Sequence, residues 1–251
     1  AERREALLEA ATVYETDLGD YGKALAVVLG VLKENTADDA MYVRIERLGV
    51  LAEAWPAILE DVGALLGAPQ DPTAVVKLCT HLGTWSHEHL GRPDFALRYF
   101  QQALQIDPQS ENAMEGVERI YRSAKQWVEL VQVLERRAEV AAFPTIRRDR
   151  RAEAAAIHEE RLGAAERATE LYRAVLDEDA MHAQAGAALQ RLYTKAERWD
   201  DLVSLLDRRM SAATETKVRR DTLLSIAEIR EDRLERLEGA AEAFLAVLEI
   251  E

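Results

Sequence analysis

Three histidines and the only cysteine of the chain lie close together, which makes them the first residues to consider for metal chemistry. His81, His87 and His89 fall within nine residues of one another, and Cys79 precedes them. Residues two positions apart point to different faces of a helix, so His87 and His89 do not easily share an ion. The Cys-x-x-Cys spacing of a zinc site is absent. The sequence therefore predicts surface or turn histidines and no metal site.

Motifs for catalysis are also missing from the sequence. It contains no Gly-rich phosphate loop, no Gly-x-Ser-x-Gly elbow and no His-Glu-x-x-His pair. The 46 aspartates and glutamates place carboxylates near each other by chance, so such pairs carry no catalytic information. We expect no enzyme activity and no cofactor in this segment.

The four tryptophans divide into three that repeat and one that does not. Trp55, Trp127 and Trp199 are evenly spaced, and each is followed at the third position by an aliphatic residue on the same helical face. We interpret them as packing residues rather than as a stacking ladder for a ligand. Trp85 aligns with positions that are apolar in the other repeats. It is either an interior residue or the hydrophobic anchor for a partner.

The three repeating tryptophans are 72 residues apart, and the same interval runs through the whole chain. Ala24, Ala96, Ala168 and Ala240 show it too. Each repeat unit divides into four amphipathic segments with the helical period and short polar turns between them, which makes two hairpins. In the third unit the predicted helices are Thr145–Leu162, Ala164–Asp177, His182–Ala196 and Arg198–Ser211. The repeats are 1–71, 72–143, 144–215 and a half repeat, 216–251. Four helices in each full repeat and two in the half repeat make fourteen helices. Because the chain begins and ends in phase with the repeat, we expect it to be a piece of a longer protein.

One half of each unit resembles a known repeat family. Gly91, Ala96, Phe100, Ala103 and Pro108 have the spacing of the second half of a tetratricopeptide (TPR) repeat. The chain is similar to the TPR family along its length, with typical hairpins alternating with degenerate ones. The resemblance implies an all-α, right-handed α-solenoid of about seven antiparallel hairpins. It also implies a scaffold for protein interactions, in which the first helix of each hairpin lines a concave groove.

The resemblance also implies which residues bind a partner. On the concave face it places Glu15, Trp85, His87, Glu88, Glu159, Glu160, Glu231, Asp232, Arg47, Arg119 and Arg191. Two interpretations of these charges stay open. The arginines either pair with carboxylates on adjacent helices, which contributes little to stability, or they and the carboxylates select an extended or helical peptide of complementary charge. Some TPR proteins clamp the tail of a chaperone with Asn and Lys side chains in the groove. This sequence does not have that pattern, so the resemblance does not imply that activity.

Composition narrows the choice of partner. The formal net charge of −14 argues against nucleic acid, because phosphate binding needs clustered Lys and Arg. No apolar run is long enough to cross a bilayer, so we expect no membrane insertion. One cysteine and the lack of a signal-like segment favour a reducing compartment such as the cytoplasm, although the compartment itself stays unknown. The excess of arginine over lysine favours a GC-rich, bacterial genome.

Two functions remain after these exclusions. The first is a non-enzymatic scaffold that binds a peptide or protein partner along the concave helical surface. The second is a structural segment of a longer repeat array that stacks on itself, since neither end carries an obvious polar cap.

Overall fold

The structure is a computed structural model that describes residues 2–68 and 71–250. These residues form fourteen α-helices and no strand. The chain divides into two compact units, residues 1–125 (unit 1) and 126–251 (unit 2). Unit 1 contains α1 (Glu2–Thr16), α2 (Tyr21–Glu34), α3 (Asp39–Ala52), α4 (Trp55–Ala64) with a 3₁₀ turn (Leu65–Gly67), α5 (Pro72–Glu88), α6 (Pro93–Ile106) and α7 (Glu111–Ser123). Unit 2 contains α8 (Trp127–Glu139), α9 (Pro144–Glu160), α10 (Ala165–Glu178), α11 (Ala183–Lys195), α12 (Trp199–Ala212), α13 (Thr216–Asp232) and α14 (Leu237–Leu248).

The predicted all-helical repeat fold is confirmed. The four helices predicted for the third repeat agree with α9 to α12 to within two residues at each end. In each unit, helices that are consecutive in the chain pack against each other, as in α1 with α2, α5 with α6 and α9 with α10. This is the pattern of an α-solenoid, in which every element contacts mainly its neighbours.

Small residues at fixed positions let the two helices of a hairpin approach closely. Ala24, Ala96, Ala168 and Ala240 are all buried. Gly83, on the facing helix α5, packs directly under a ring, because a Cβ there would lie 2.7–2.8 Å from three atoms of Phe100. Interiors are close-packed, so only the hydrogen of glycine fits this contact without movement of the ring.

The turns after α1, α5, α9 and α13 recur at the same interval as the alanines. Gly19, Gly91 and Gly163 have left-handed backbones with φ of +62°, +59° and +64°. Glycine adopts this conformation without the steric penalty that a Cβ brings. Glu235 takes the fourth turn at a φ of 52° although it has a side chain. The turn is thus set by the repeat as a whole, and glycine only makes it easier to form.

Candidate functional site

The charged residues that the sequence analysis singled out lie on the first helices of the hairpins. We call the exposed surface of these helices the first-helix face: α1, α3, α5 and α7 in unit 1, and α9, α11 and α13 in unit 2. Ion pairs join neighbouring first helices within each unit. In unit 1, for example, Nζ of Lys77 on α5 lies 2.8 Å from a carboxylate oxygen of Asp39 on α3.

Three ion pairs recur on the first-helix face at equivalent positions, and we call them the arginine ladder. Two belong to unit 1, Arg47 with Glu15 and Arg119 with Glu88, and one belongs to unit 2, Arg191 with Glu159. In each pair, one residue lies on the first helix of one hairpin and its partner lies on the first helix of the next. Each of the three arginines therefore pairs with a carboxylate of a neighbouring hairpin, and selection of a partner by the same charges stays a prediction.

The pair of Arg119 shows how the face adapts to a substitution. His87 occupies the position that Glu15 and Glu159 hold in the first and third repeats. The guanidinium of Arg119 bonds to Glu88 instead, one residue further along the helix. The side chain of His87 is half-buried, and its Nδ1 is buried without a hydrogen-bond partner among the described residues.

The ladder buries its carboxylates more than its guanidinium groups. The Glu15 side chain is 8% exposed and contacts both Arg44, at 3.2 Å, and Arg47. Glu159 accepts hydrogen bonds of 2.9–3.0 Å from Arg191, whose side chain remains 58% exposed. A guanidinium carries five N–H donors, so these arginines keep donors that face solvent.

Three of the predicted site carboxylates have no ion-pair partner in residues 2–68 and 71–250. Glu160, at the end of α9, is exposed, as are Glu231 and Asp232 at the end of α13. All three belong to unit 2. The unpaired carboxylates among the predicted site residues therefore lie on the first-helix face of unit 2.

The prediction that Trp85 anchors a partner is wrong. Its side chain has no solvent exposure, because it packs inside the core of unit 1. The Trp85 ring lies 5.7 Å from that of Trp55 and 6.1 Å from that of Tyr42. The other interpretation, an interior residue at an apolar position of the repeat, is the correct one.

The prediction of surface or turn histidines is wrong for His81, whose ring packs against other rings of unit 1, but His89 does lie in the turn after α5. His81 stacks on Tyr42 with ring centroids 3.9 Å apart, and His89 stacks on Trp55 at 3.7 Å. Burial lowers the pKa of His81 to about 4, which keeps its ring neutral near pH 7. Nothing local in the sequence indicated these contacts, because each aromatic partner lies on a different helix.

The three repeating tryptophans are packing residues, and each ring is covered from the same position of the repeat. The covering residues are His89 over Trp55, Arg161 over Trp127 and Arg233 over Trp199. The two arginines lie 5.4 and 5.2 Å from the ring centroids, within the range of a cation–π contact. Trp55 is buried, and the other two rings are half-buried.

An open groove that the sequence analysis missed runs along α1 beside α3. Its lining residues are Arg4, Glu5, Leu8, Glu9, Thr12, Val13 and Arg44. Val13 is 46% exposed, and Arg44 donates a hydrogen bond of 3.1 Å to the hydroxyl of Thr12. The groove thus brings apolar and charged side chains together on the first-helix face of unit 1.

None of the helices in the described ranges has both the length and the apolar character that crossing a bilayer requires.

Part of the chain matches a known family of helical repeats. The family model described as tetratricopeptide repeat matches residues 78–114 and 187–219. The first match covers Gly91, Ala96 and Phe100, in a hairpin that the sequence analysis took as typical. The second falls largely on α11 and α12, so the prediction that this hairpin is degenerate is wrong. No curated protein matches the sequence significantly.

Solved structures are similar in fold to the chain. In a structure of Naa15/Naa10 bound to HypK-THB, the similar chain has a TM-score of 0.53 and 16% identity, with 98% of this chain and 36% of that chain covered. A tetratricopeptide repeat protein from Parabacteroides merdae has a TM-score of 0.44 and 15% identity, with 100% and 94% covered. The C-terminal part of a TPR repeat-containing protein from Cytophaga hutchinsonii has 0.47 and 13%, with 96% and 95% covered.

The class of protein follows from the family match, the helix pattern and the likeness in fold. The chain is a TPR-like repeat protein with an all-α solenoid fold. The TPR fold is generally a scaffold for protein–protein interactions, and the family is typically non-enzymatic.

Proposed function

We propose that this chain is a non-enzymatic scaffold that binds a peptide or protein segment along its first-helix face. The observation that carries the proposal is the set of exposed carboxylates without an ion pair among the described residues, Glu160, Glu231 and Asp232. They lie on the helices that line the concave groove in the TPR proteins this chain resembles. Unpaired carboxylates of this kind favour a partner segment that carries lysine or arginine.

The arginine ladder contributes specificity in this proposal. The carboxylates of Glu15 and Glu159 hold Arg47 and Arg191 in place, and both guanidinium groups stay 58% exposed. In each unit a partner therefore meets fixed positive and negative groups rather than a uniformly acidic surface. Side chains fixed on packed helices lower the entropy that a flexible segment loses on binding.

The groove along α1 takes the role that the sequence analysis gave to Trp85. Leu8 and Val13 offer apolar contact there, and Arg4 and Arg44 also line the groove. Apolar side chains of a partner gain from burial in such a groove, while charged contacts set their orientation. In this proposal the groove is the apolar contact surface of unit 1.

Charge reversal tests the proposal. A partner is first captured from lysate of the source organism with the folded chain as bait, and its affinity is then measured for purified variants. Glu160→Lys with Glu231→Lys should weaken binding by at least about tenfold, which corresponds to about 1.4 kcal/mol. Added salt should weaken the wild-type complex, because exposed charges are screened.

A matched control separates the first-helix face from net charge. Glu238→Lys with Glu242→Lys changes the same number of exposed carboxylates on α14, a second helix. We expect this pair to leave the affinity within about twofold, since rim charges contribute little. Equal losses in both double variants, or no loss in either, would show that the first-helix face is not the binding surface.

Self-stacking is a second candidate function, because α14 exposes an apolar face. Leu237, Leu245 and Leu248 are 67%, 61% and 74% exposed. If copies associate through this face, the mass in sedimentation should rise with concentration, and Leu245→Glu with Leu248→Glu should abolish the rise. A wild-type mass that stays monomeric at all concentrations would exclude this candidate.

A further inference from the structure

Three side chains with metal-binding atoms meet on the first-helix face of unit 1. Glu46 lies on α3, Glu88 is the last residue of α5, and His89 caps that helix. One carboxylate oxygen from each glutamate and one ring nitrogen of the histidine all lie within 4.8 Å of one another. We propose that these residues bind a divalent transition-metal ion of the Zn²⁺ type, a function that goes beyond the proposed scaffold.

The donor set suits this class of ion. Zn²⁺ accepts histidine nitrogen and glutamate oxygen at about 2.0–2.2 Å, commonly with three protein ligands and a water. The three ligand atoms lie within 4.8 Å of one another, so at most a small movement of the side chains brings them to a common ion. Glu88 can make such a movement because its side chain is 36% exposed at a helix end.

A second observation points to a ligand at this place. Nε2 of His89 is buried and has no hydrogen-bond partner among the described residues. Buried polar atoms are rarely left in this state, and each one requires an explanation. The His89 ring is fixed by stacking on Trp55 at 3.7 Å with an angle of 5° between the planes. The imidazole is thus oriented before any ion arrives.

The electrostatic surroundings also favour a cation. The negative end of the α5 dipole falls at Glu88 and His89. Arg119 bonds to Oε1 of Glu88 and leaves Oε2 available, so it acts as an outer partner that orients the carboxylate. Glu46 and Glu88 bring two carboxylates to the site, and Arg119 donates a hydrogen bond to one of them.

The other repeats supply an internal comparison. Arg161 and Arg233 place a permanent positive charge over Trp127 and Trp199. In the remaining repeat, the equivalent position over the tryptophan ring holds His89. A metal ion bound there would restore the positive charge that the arginines provide elsewhere.

The test is a Zn²⁺ titration of the full chain, followed by calorimetry and by tryptophan fluorescence. We expect one saturable ion per chain and a change in emission from Trp55, whose ring contacts His89. His89→Arg places over Trp55 the arginine that the other repeats carry at this position and removes the nitrogen ligand, and Glu46→Gln removes one oxygen ligand. Each should weaken Zn²⁺ binding by at least about tenfold, the smallest loss typical even of outer-shell changes.

Two controls make the result specific. Glu160→Gln alters the counterpart of Glu88 in the third repeat, and His87→Gln removes the nearest other histidine on α5. Both should bind Zn²⁺ as the wild type does, and circular dichroism should show all four variants folded. No saturable binding, or the same affinity in His89→Arg and Glu46→Gln as in the wild type, would overturn the proposal. Neither result bears on the scaffold function, which is tested by charge reversal on unit 2.

Discussion

The tryptophan of unit 1 and those of unit 2 occupy the same position of the repeat but are held by different forces. Trp55 is buried in an aromatic cluster and stacked under His89, whereas Trp127 and Trp199 are half-buried under arginines. Burial removes apolar surface from water, while an exposed cation–π contact contributes only about 0.5–1 kcal/mol. The same helical repeat thus tolerates two quite different stabilising contacts.

The cores of the two units also differ in the size of the side chains that they bury. Unit 1 encloses large rings, among them Tyr42, Trp85 and Phe100, which are at most 2% exposed. Unit 2 relies more on small residues, such as Ala152, Ala154 and Ala155, each at most 1% exposed. We therefore expect unit 1 to be the more sensitive to changes in side-chain volume and to the protonation of a buried histidine.

Removing the central ring of unit 1 should have the largest effect. Trp85→Ala leaves a cavity in a fully buried site and should lower the free energy of unfolding by about 3–5 kcal/mol. Trp199→Ala should cost clearly less, because that ring is half-buried. Urea denaturation of the two variants measures the difference, and equal losses would contradict the contrast between the units.

Acid should destabilise unit 1 through His81. Its pKa is lowered to about 4 by burial, against an ordinary value of 6.5, although Asp39 partly offsets the shift. The unfolded chain therefore takes up the proton first, and the free energy of unfolding falls between pH 6.5 and 4 by at most about 3 kcal/mol. Urea midpoints measured across this range should fall less in His81→Phe than in the wild type. Identical pH profiles would remove His81 as the cause.

A methyl group added next to Phe100 should show how tightly unit 1 is packed. A Cβ at Gly116 would lie within 2.5 Å of three atoms of that buried ring. Gly116→Ala should therefore cost about 1–3 kcal/mol, although alanine favours the helix. Gly30→Ala is the control, because a Cβ there meets nothing within 4 Å; it should stabilise by up to about 1 kcal/mol. Stabilisation in both variants would mean that the core of unit 1 is loosely packed.

The helices were predictable from the sequence because their signals are local. Apolar residues with the helical period, and turn residues such as Gly91, repeat at 72-residue intervals, and neither depends on distant contacts. The positions of the ladder arginines were also predictable, since the same interval relates Arg47, Arg119 and Arg191. Regular spacing in a repeat protein brings equivalent residues into equivalent surroundings.

The parts that sequence reasoning missed depend on neighbours that spacing does not reveal. Whether Trp85 faces solvent or core is decided by Tyr42 and Trp55 on other helices. Glu46 and Glu88 lie on helices that are not consecutive in the chain, so no motif spacing joins them. One available signal was the constant spacing from each repeating tryptophan to the histidine or arginine that covers it.

The smallest expected effect is on the free energy of unfolding when one pair of the arginine ladder is disrupted, and it should differ between unit 2 and unit 1. Glu159→Gln disrupts a pair with one arginine, which is 58% exposed, so the loss should be about 0.2–1 kcal/mol and should shrink in about 1 M salt. Arg47 is equally exposed, but Glu15→Gln should cost more, about 1–3 kcal/mol, because Glu15 is 8% exposed and also pairs with Arg44, which is 17% exposed. Urea denaturation at low and high salt measures both losses. If the two losses match, the ladder is uniform and burial of Glu15 contributes nothing, which would weaken the idea that unit 1 depends more strongly than unit 2 on what it encloses.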